Sequence, residues 1–502
     1  MPEGGSAQSG PPEKGLSGER VAALVQAAWL AGVLTVWWAF MFRSPIDPDY
    51  TAGELLDHLM AWRETGILYP PLGSGEGLRV LNYPPLSLWL ARVGTAFGLS
   101  PITAGRLMGS LAAALVLWVL WAWSGARGAS RAARVGTVGL MGASLPFVYA
   151  TGQVHVELWA VLFTLAGFAL LDRGRGRVAL VAAGGLLALA CFAKQTQVVP
   201  ALIGIAWVVR HRREFRMHTL LAFAAVGLAG VMALTAFAGG DVWNHLLTYT
   251  VGTYSLTTLA EQMGSHAAPW ILLLAVAGWA ALRGDGQVAG DGPGVSSGEE
   301  AGRGDAATWF WVGSLLWSFS SIRDGSGYPY FLDLHVATAL LAGPVVFRAA
   351  RGPLNSAIAG PGRLRSVLWV QLVAANLLVA AVLATNVSLV TERSATLDDV
   401  CAAFPDDSPA LAEDAGLARA CGRTAAVHPF IMTSLSRRGL WDSRAFEARI
   451  RSGAYRSVVL GFDPGTAPSG AQADRWTAGM VAAFGTASRV EALPGGWWWV
   501  AW

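Results

Sequence analysis

Lysine is almost missing from this chain. Only Lys14 and Lys194 occur in 502 residues, and arginine carries the rest of the cationic charge. Charge of either sign is scarce: 14% of residues are Asp, Glu, Lys or Arg, where a soluble chain carries about a quarter. Cysteine is down to three residues, Cys191, Cys401 and Cys421. No His, Cys or Asp spacing matches a metal motif, and no repeat of fixed period is present. The net charge of +3 gives no reason to expect nucleic acid as a partner.

What remains is apolar. Hydrophobic residues make up 54% of the chain, with 23 Trp among them. Runs long enough to span a bilayer as helices recur along it. They are too long and too uniform for barrel strands. The spans read from the sequence are roughly 21–42, 104–124, 133–150, 156–171, 177–192, 196–210, 217–239, 268–282, 307–321, 331–349 and 366–386. The fold class is therefore an all-α polytopic membrane protein with about eleven transmembrane helices. The first run has no small-residue cleavage site, so it reads as an uncleaved helix rather than a signal peptide. Arginines cluster in alternate connections, such as Arg127, Arg131 and Arg134 or Arg210, Arg212 and Arg213, whereas 151–155 and 240–267 hold no Lys or Arg. That bias places the N-terminus in the cytoplasm of a plasma (inner) membrane, with 43–103 and 391–502 outside.

The expected layout is a disordered tail (1–19), a membrane domain (20–390) and an outer domain (391–502). Within the membrane domain, 284–305 is a Gly-, Asp- and Ser-rich cytoplasmic linker. The outer loop 43–103 is dense in carboxylates: Asp47, Asp49, Glu54, Asp57, Glu64 and Glu76. Residues 50–66 place Leu55, Leu59 and Trp62 on one helical face, the pattern of an amphipathic helix lying on the membrane. Residues 85–97 read as a second juxtamembrane helix. In 391–502, helical spacing covers 398–420 and 442–452, and strands are expected at 457–462 and 497–502, which makes a small α/β domain. Cys401 and Cys421 both fall there. They either pair, as an oxidising compartment favours, or stay as two thiols.

Polar groups at the outer ends of the spans are the candidate site. Asp49 is the candidate general base, since a carboxylate at the membrane face can take a proton from an attacking hydroxyl. It is equally placed to cap a helix. Asp47 competes with it, and Glu54 is a third carboxylate nearby. Lys194 sits between uncharged apolar runs, where an ammonium implies a functional partner such as phosphate or snorkels to the interface. Gln195 follows it. His155 and Glu157 open a span as acceptor contacts or as a solvated helix start. Arg323 and the Gly325-Ser326-Gly327 turn could offer a guanidinium and backbone N–H groups to a phosphate, or form a plain flexible turn.

A first span, an acidic outer loop and Asn82-Tyr83-Pro84-Pro85-Leu86 together resemble the C-type, polyprenyl-phosphate-sugar-dependent glycosyltransferases, which include the protein O-mannosyltransferases and the aminoarabinose transferase of lipid A. The resemblance is greatest to one bacterial branch. In that branch Asp-Tyr, Arg-Val-Asp-Leu and Lys-Gln-Thr are matched here by Asp49-Tyr50, His155-Val156-Glu157-Leu158 and Lys194-Gln195-Thr196. Its Gly-Ser-x-x-Asn-Tyr is similar to Gly325-Ser326-Gly327-Tyr328-Pro329-Tyr330, and its tail to His428-Pro429-Phe430 and Arg438-Gly439-Leu440-Trp441-Asp442. This sequence departs at Thr51-Ala52, where the branch has Gly-Glu. The resemblance implies an inverting transferase with Asp49 as catalytic acid. Its polyprenyl-phosphate sugar donor would lie between helices, the phosphate near Lys194 and Arg323. Tyr83, Gln195, Ser326 and Tyr330 enter as substrate contacts on the same basis. The acceptor would be an extracytoplasmic lipid, glycan or protein, and a need for a divalent cation is left open. Two other readings stand beside it. One is a transporter or flippase for a lipid-linked saccharide, and the other a catalytically inactive relative that acts as a membrane assembly or binding protein.

Overall fold

The structure is a computed structural model that describes residues 17–73, 78–237, 241–250, 252–283, 305–323, 325–349, 362–404 and 410–502. Residues 1–16, Glu76, Asp324 and all of the linker but Asp305 lie outside the described residues.

The helices of the body are α1 (Gly18–Met41), α2 (Tyr50–Thr65), α3 (Leu86–Ala96), α4 (Pro101–Ala126), α5 (Arg131–Gly139), α6 (Leu145–Ala150), α7 (Glu157–Arg173) and α8 (Arg177–Ala193), followed by α9 (Val198–His211), α10 (Arg216–Phe237), α11 (Leu256–Gln262), α12 (Ile271–Arg283), α13 (Ala306–Ser318), α14 (Leu332–Ala349) and α15 (Gly362–Ala395). Their starts are locally encoded. Ser100 accepts from Thr103 N with Pro101 in the first turn of α4, and Asp305 accepts from Ala307 N at α13. These are favoured caps because they satisfy N–H groups that have no partner inside the helix.

Six helical stretches among the described residues are long and apolar enough to cross a membrane: Gly18–Met41, Pro101–Ala126, Arg216–Phe237, Leu256–Arg283, Tyr328–Arg348 and Ser366–Ala395. The Tyr328–Arg348 stretch is central, with 89% of its apolar window buried, whereas Arg216–Phe237 is 6% buried and lies at the rim. The other five runs read as spans fall on shorter helices. The run 133–150 is broken between α5 and α6, and α7, α8, α9 and α13 have 17, 17, 14 and 13 residues. A total of eleven therefore rests on helices below the usual spanning length of about 20 residues.

The C-terminal part holds α16 (Leu397–Ala402), α17 (Ala415–Ala420), α18 (Pro429–Arg437), α19 (Arg444–Arg451) and α20 (Ala478–Phe484), with strands β1 (Leu411–Ala412), β2 (Ser457–Leu460), β3 (Arg489–Leu493) and β4 (Trp497–Ala501). The sheet order is β1-β2-β4-β3; β1 runs parallel to β2 and the other pairs are antiparallel, with Val458 opposite Val500. Strands expected at 457–462 and 497–502 are present as β2 and β4. The single helix expected over 398–420 is not formed. It divides into α16, β1 and α17, and Cys401 pairs with Cys421 across the break. The disulfide closes a loop with a separation of 20 residues, a size worth about 3 kcal/mol in the chain-entropy account. Alkylation of the unfolded chain should modify one cysteine without reductant and three after reduction, and reduction should lower the unfolding temperature of this part.

The acidic loop 43–103 is not a surface element. α2 keeps Leu55 and Leu59 in a cluster with Leu88, Ala91, Val154 and Val156 on the helical body. Its polar side does not face water as the amphipathic pattern implies: Asp57 and His58 are buried against the C-terminal part, and Glu54 is partly buried there. Leu78 N donates to Ala426 O and His428 N to Leu78 O, each at 2.9 Å. Ile46 and Val80 join hydrophobic clusters built from C-terminal residues. On α3 Trp89 and Val93 are exposed, as is Phe97 at its C-terminal cap. Arg92 breaks its apolar run by bonding Trp62 O at 2.9 Å and lying over the Trp62 ring.

α2 and α17 meet at two glycines. A Cβ on Gly53 would lie 2.9 Å from Gly416 N and 2.8 Å from Asp414 Oδ1. Because one neighbour is backbone, Gly53→Ala should push the helices apart and destabilise the protein by about 1–3 kcal/mol, read as a lower midpoint in thermal unfolding.

Candidate active site

The site begins at the turn before α2. Arg106, 1% exposed inside α4, donates to Asp47 Oδ1 at 3.1 and 2.8 Å, to Ser44 O at 2.7 Å, to Ile46 O at 3.0 Å and to Met41 O. Residues 41–47 are thus wrapped around one guanidinium. Asp47 is committed to that anchor, although its Oδ2 is buried without a hydrogen bond. Burial raises the Asp47 pKa above the ordinary carboxylate value, even with Arg106 beside it. Arg106 had a signal in the sequence: a charge inside an apolar run needs a partner.

Asp49 follows as the cap of α2. Its Oδ1 accepts from Thr51 N at 2.7 Å, and its Oδ2 lies 3.7 Å from His155 Nε2. Asp49 thus caps α2 with one oxygen and turns the other toward His155. His155 continues the chain of contacts. Its Nδ1 is 3.1 Å from Glu157 Oε2, and Tyr328 Oη is 2.9 Å from its Nε2. Lys194 Nζ donates to Glu157 Oε1 at 3.0 Å and lies over the Tyr330 ring at 4.9 Å, with the Tyr83 ring at 5.9 Å. An acid, an imidazole, a second acid and the lone described ammonium are thus in series. Burial disfavours a charged His155, but the hydrogen bond and charge of Glu157, with Asp49 and Asp47 behind, outweigh it and raise its pKa.

The surroundings fix this series. Gln195 Nε2 donates to Asn82 O at 2.7 Å, and Tyr69 Oη to Tyr83 O at 2.8 Å, which hold Tyr83 against the end of α8. Gln197 bridges Asp333 at 2.7 Å and Thr164 at 3.1 Å. Arg323 packs on Gly252, and its Nε has no hydrogen bond. Ser326 bonds Ser321 O and so closes its own loop. An apolar cavity of about 570 Å³ opens between α3, α8 and α10. Leu86 and Phe192 line it, close in sequence to Tyr83 and Lys194.

Glu54 stands apart from this series, on the face of α2 that meets the C-terminal part. Asp57 there accepts from Arg419 Nε at 2.5 Å and lies 2.9 Å from His428 Nε2, and Arg419 also reaches Glu64 at 2.8 Å. Burial alone would raise the Asp57 pKa; the hydrogen bond and charge of His428 and the charges of Arg419 and Arg79 depress it well below the usual range. His428 and Arg419 were not readable as site residues, because their partners lie more than 350 positions away. Among the described residues, no group of three or more His, Cys, Asp or Glu is arranged to hold a metal ion.

No family model and no curated protein matches the sequence. Solved structures do match the fold. ArnT from Cupriavidus metallidurans in the apo state aligns at TM-score 0.60 and 15% identity over 96% of this chain and 98% of that one. The same protein bound to undecaprenyl phosphate aligns at 0.56 over 94% and 97%, also at 15% identity. The apo oligosaccharyltransferase of Archaeoglobus fulgidus aligns at 0.55 and 10% identity over 89% of this chain and 69% of that one. The chain shares the fold of these structures. Within that fold, Asp49, His155, Glu157 and Lys194 come together, with Tyr83 and Tyr330 at the Lys194 end. Asp47, Glu54 and Ser326 point to other partners.

Proposed function

We propose that the chain is a multi-pass membrane glycosyltransferase that moves a sugar from a polyprenyl-phosphate donor to an acceptor outside the cytoplasm. The observation that carries this reading is the series Asp49, His155, Glu157 and Lys194, whose ammonium follows by two positions Phe192, a wall of the apolar cavity. The matched ArnT structure bound to undecaprenyl phosphate supports a lipid-linked donor.

The residues divide the work as follows. The cavity between α3, α8 and α10 takes the apolar chain of the donor. Lys194 spends one of three N–H donors on Glu157, which leaves two for phosphate oxygens. Asp49 Oδ2 takes the proton of the acceptor hydroxyl as its oxygen attacks the anomeric carbon. The bond from that carbon to the phosphate oxygen breaks, the electron pair leaves with the lipid phosphate, and attack from the opposite face inverts the centre. His155, itself bonded to Tyr328, stands 3.7 Å from the free oxygen of Asp49 and favours its ionised form when protonated. Arg323 adds a second cation for the phosphate, and Asp47, through Arg106, sets the turn that presents Asp49. The layout proposed with this is a cytoplasmic N-terminus, eleven spans, and an outer domain over 391–502 in an inner membrane.

Purified protein given a radiolabelled polyprenyl-phosphate sugar and membrane lipid extract should yield a labelled covalent product. Uptake of the lipid-linked sugar into sealed vesicles with no covalent product would instead make the chain a transporter.

A further inference from the structure

His245 belongs to none of the machinery described above, and both of its ring nitrogens are in use. It stands on the segment that follows α10 and is 0% exposed. Leu81 N donates to its Nδ1 at 3.0 Å, and its Nε2 donates to Pro70 O at 2.8 Å. A backbone N–H only donates and a carbonyl oxygen only accepts. The two partners therefore fix the ring: Nδ1 is bare, Nε2 carries the hydrogen, and the imidazole is neutral.

What the ring holds lies next to the candidate site. Leu81, Asn82 and Tyr83 are each tied through the backbone: Leu81 N to His245, Asn82 O to Gln195 and Tyr83 O to Tyr69. The Tyr69 ring in turn meets the His245 ring edge-on at 5.4 Å. Pro85 and Leu86, shortly after this stretch, line the apolar cavity, as does Leu68, two positions before Pro70. Residues of α10 between Val226 and Phe237 line it as well. His245 follows Phe237 by eight positions, and its neighbours Val242 and Leu246 are buried in one cluster with Leu68, Leu81 and Leu234. One imidazole thus joins the chain that leaves α10 to two points of the acidic loop, Pro70 and Leu81.

We propose that His245 is a positioning residue: its neutral imidazole braces Pro70 and Leu81, and so sets Tyr83 beside Lys194 and Leu86 in the cavity wall. That this matters to a lipid-phosphate donor rests on the transferase reading above; the brace itself does not.

The brace is sensitive to acid. A proton on Nδ1 would face the Leu81 N–H, two donors with no acceptor between them, so an imidazolium has to let Leu81 go. Burial is the larger influence on the ring and holds its pKa below the ordinary value, against the Pro70 carbonyl and Asp241, whose Oδ2 lies 3.4 Å from Nε2. The rings of Tyr69 and Tyr249 flank it at 5.4 and 5.5 Å. His58 on α2 stays neutral, its pKa pushed down by burial. Arg438 is bonded to the carbonyls of Thr248 and Tyr249. A base whose pKa is depressed in the braced state takes its proton more readily when released. The brace is therefore complete above about pH 6.5 and weakens as pH falls below it.

The test is hydrogen exchange of the full chain in lipid nanodiscs at pH 7.5 and 5.5, resolved to single amides and corrected for the intrinsic rate. The Leu81 amide should open about 10-fold more readily at the lower pH, one unit below the free imidazole value. The Leu78 amide, held by Ala426 O, should not follow it. His245→Asn puts an amide oxygen where Nδ1 stands and cannot titrate, so the Leu81 difference between the two pH values should vanish. His245→Ala should leave Leu81 unprotected at both. At pH 7.5, His245→Ala should bind undecaprenyl phosphate about 10-fold more weakly than His245→Asn, the size of one hydrogen bond. A Leu81 pH response that is the same in the wild type and His245→Asn, or an acid response shared equally by Leu78 and Leu81, overturns the brace. The second comparison uses the wild type alone and carries the test if a variant fails to fold. The expected exchange with equal binding by the two variants overturns the positioning role. The expected exchange with no binding of undecaprenyl phosphate by the wild type leaves the brace standing and overturns the lipid-phosphate donor.

Discussion

Asp49→Asn should lose sugar transfer by about 10²- to 10⁴-fold, the usual contribution of a positioned general base, while the protein unfolds at the wild-type temperature. The second half of that expectation makes the first informative. Asp49 Oδ1 caps α2 through Thr51 N, and Asn is as good a cap as Asp. The substitution therefore keeps the helix start and removes only a carboxylate able to take a proton. Asp49→Ala lacks this separation, because it removes the cap as well and costs about 1 kcal/mol of stability. Initial rates with labelled donor, taken beside thermal unfolding of the same preparations, decide the matter. Full transfer by Asp49→Asn would remove Asp49 from the role.

Asp57→Ala should destabilise the chain by about 3–5 kcal/mol, the cost of breaking a buried ion pair from one side. Asp57 is 0% exposed, and its loss strands Arg419 and His428 without their common anion. The effect has a pH signature. The folded-state pKa of Asp57 is depressed, so the stability it lends is complete above the ordinary carboxylate value of about 4 and is lost as pH falls toward the folded value. Burial raises Glu54 and Asp414 instead, even with cationic neighbours beside them. They act with opposite sign, weakening the fold as they ionise at higher pH. The difference in unfolding free energy between wild type and Asp57→Ala should therefore shrink on acidification below about pH 4 and stay flat above it. A difference that is small at neutral pH, or that grows on acidification, would mean that Asp57 does not join the two parts.

The ends of the chain's series of polar groups were legible because charge is so scarce. A lone lysine between apolar runs, a Glu opening a helix and a His before it stand out against an uncharged background, and they do meet. Apolar length was equally plain for α1, α4, α10, α14 and α15. The shorter α7, α9 and α13 were read as spans from hydropathy, which does not report where a helix stops. α2 shows what periodicity cannot carry. Its Leu55–Leu59 face was read correctly as apolar, but a polar face looks the same whether water or counter-charges cover it. The counter-charges here, Arg419 and His428, arrive from the far end of the sequence. The break in 398–420 was hidden for a related reason: the residues have helical spacing, and only the pairing of Cys401 with Cys421 and the β1–β2 contact favour a turn.

The joint between Asp57 and Arg419 closes across 362 positions. Synthesis runs from the N-terminus, so the ribosome finishes every membrane helix before the C-terminal partners of α2 exist. During that interval Arg79 already lies within reach of Asp57, but Arg419 and His428 are still to come. Closure of the joint thus waits until residues 419–428 have been made, and a chain cut short after α15 would leave Asp57 without Arg419 and His428.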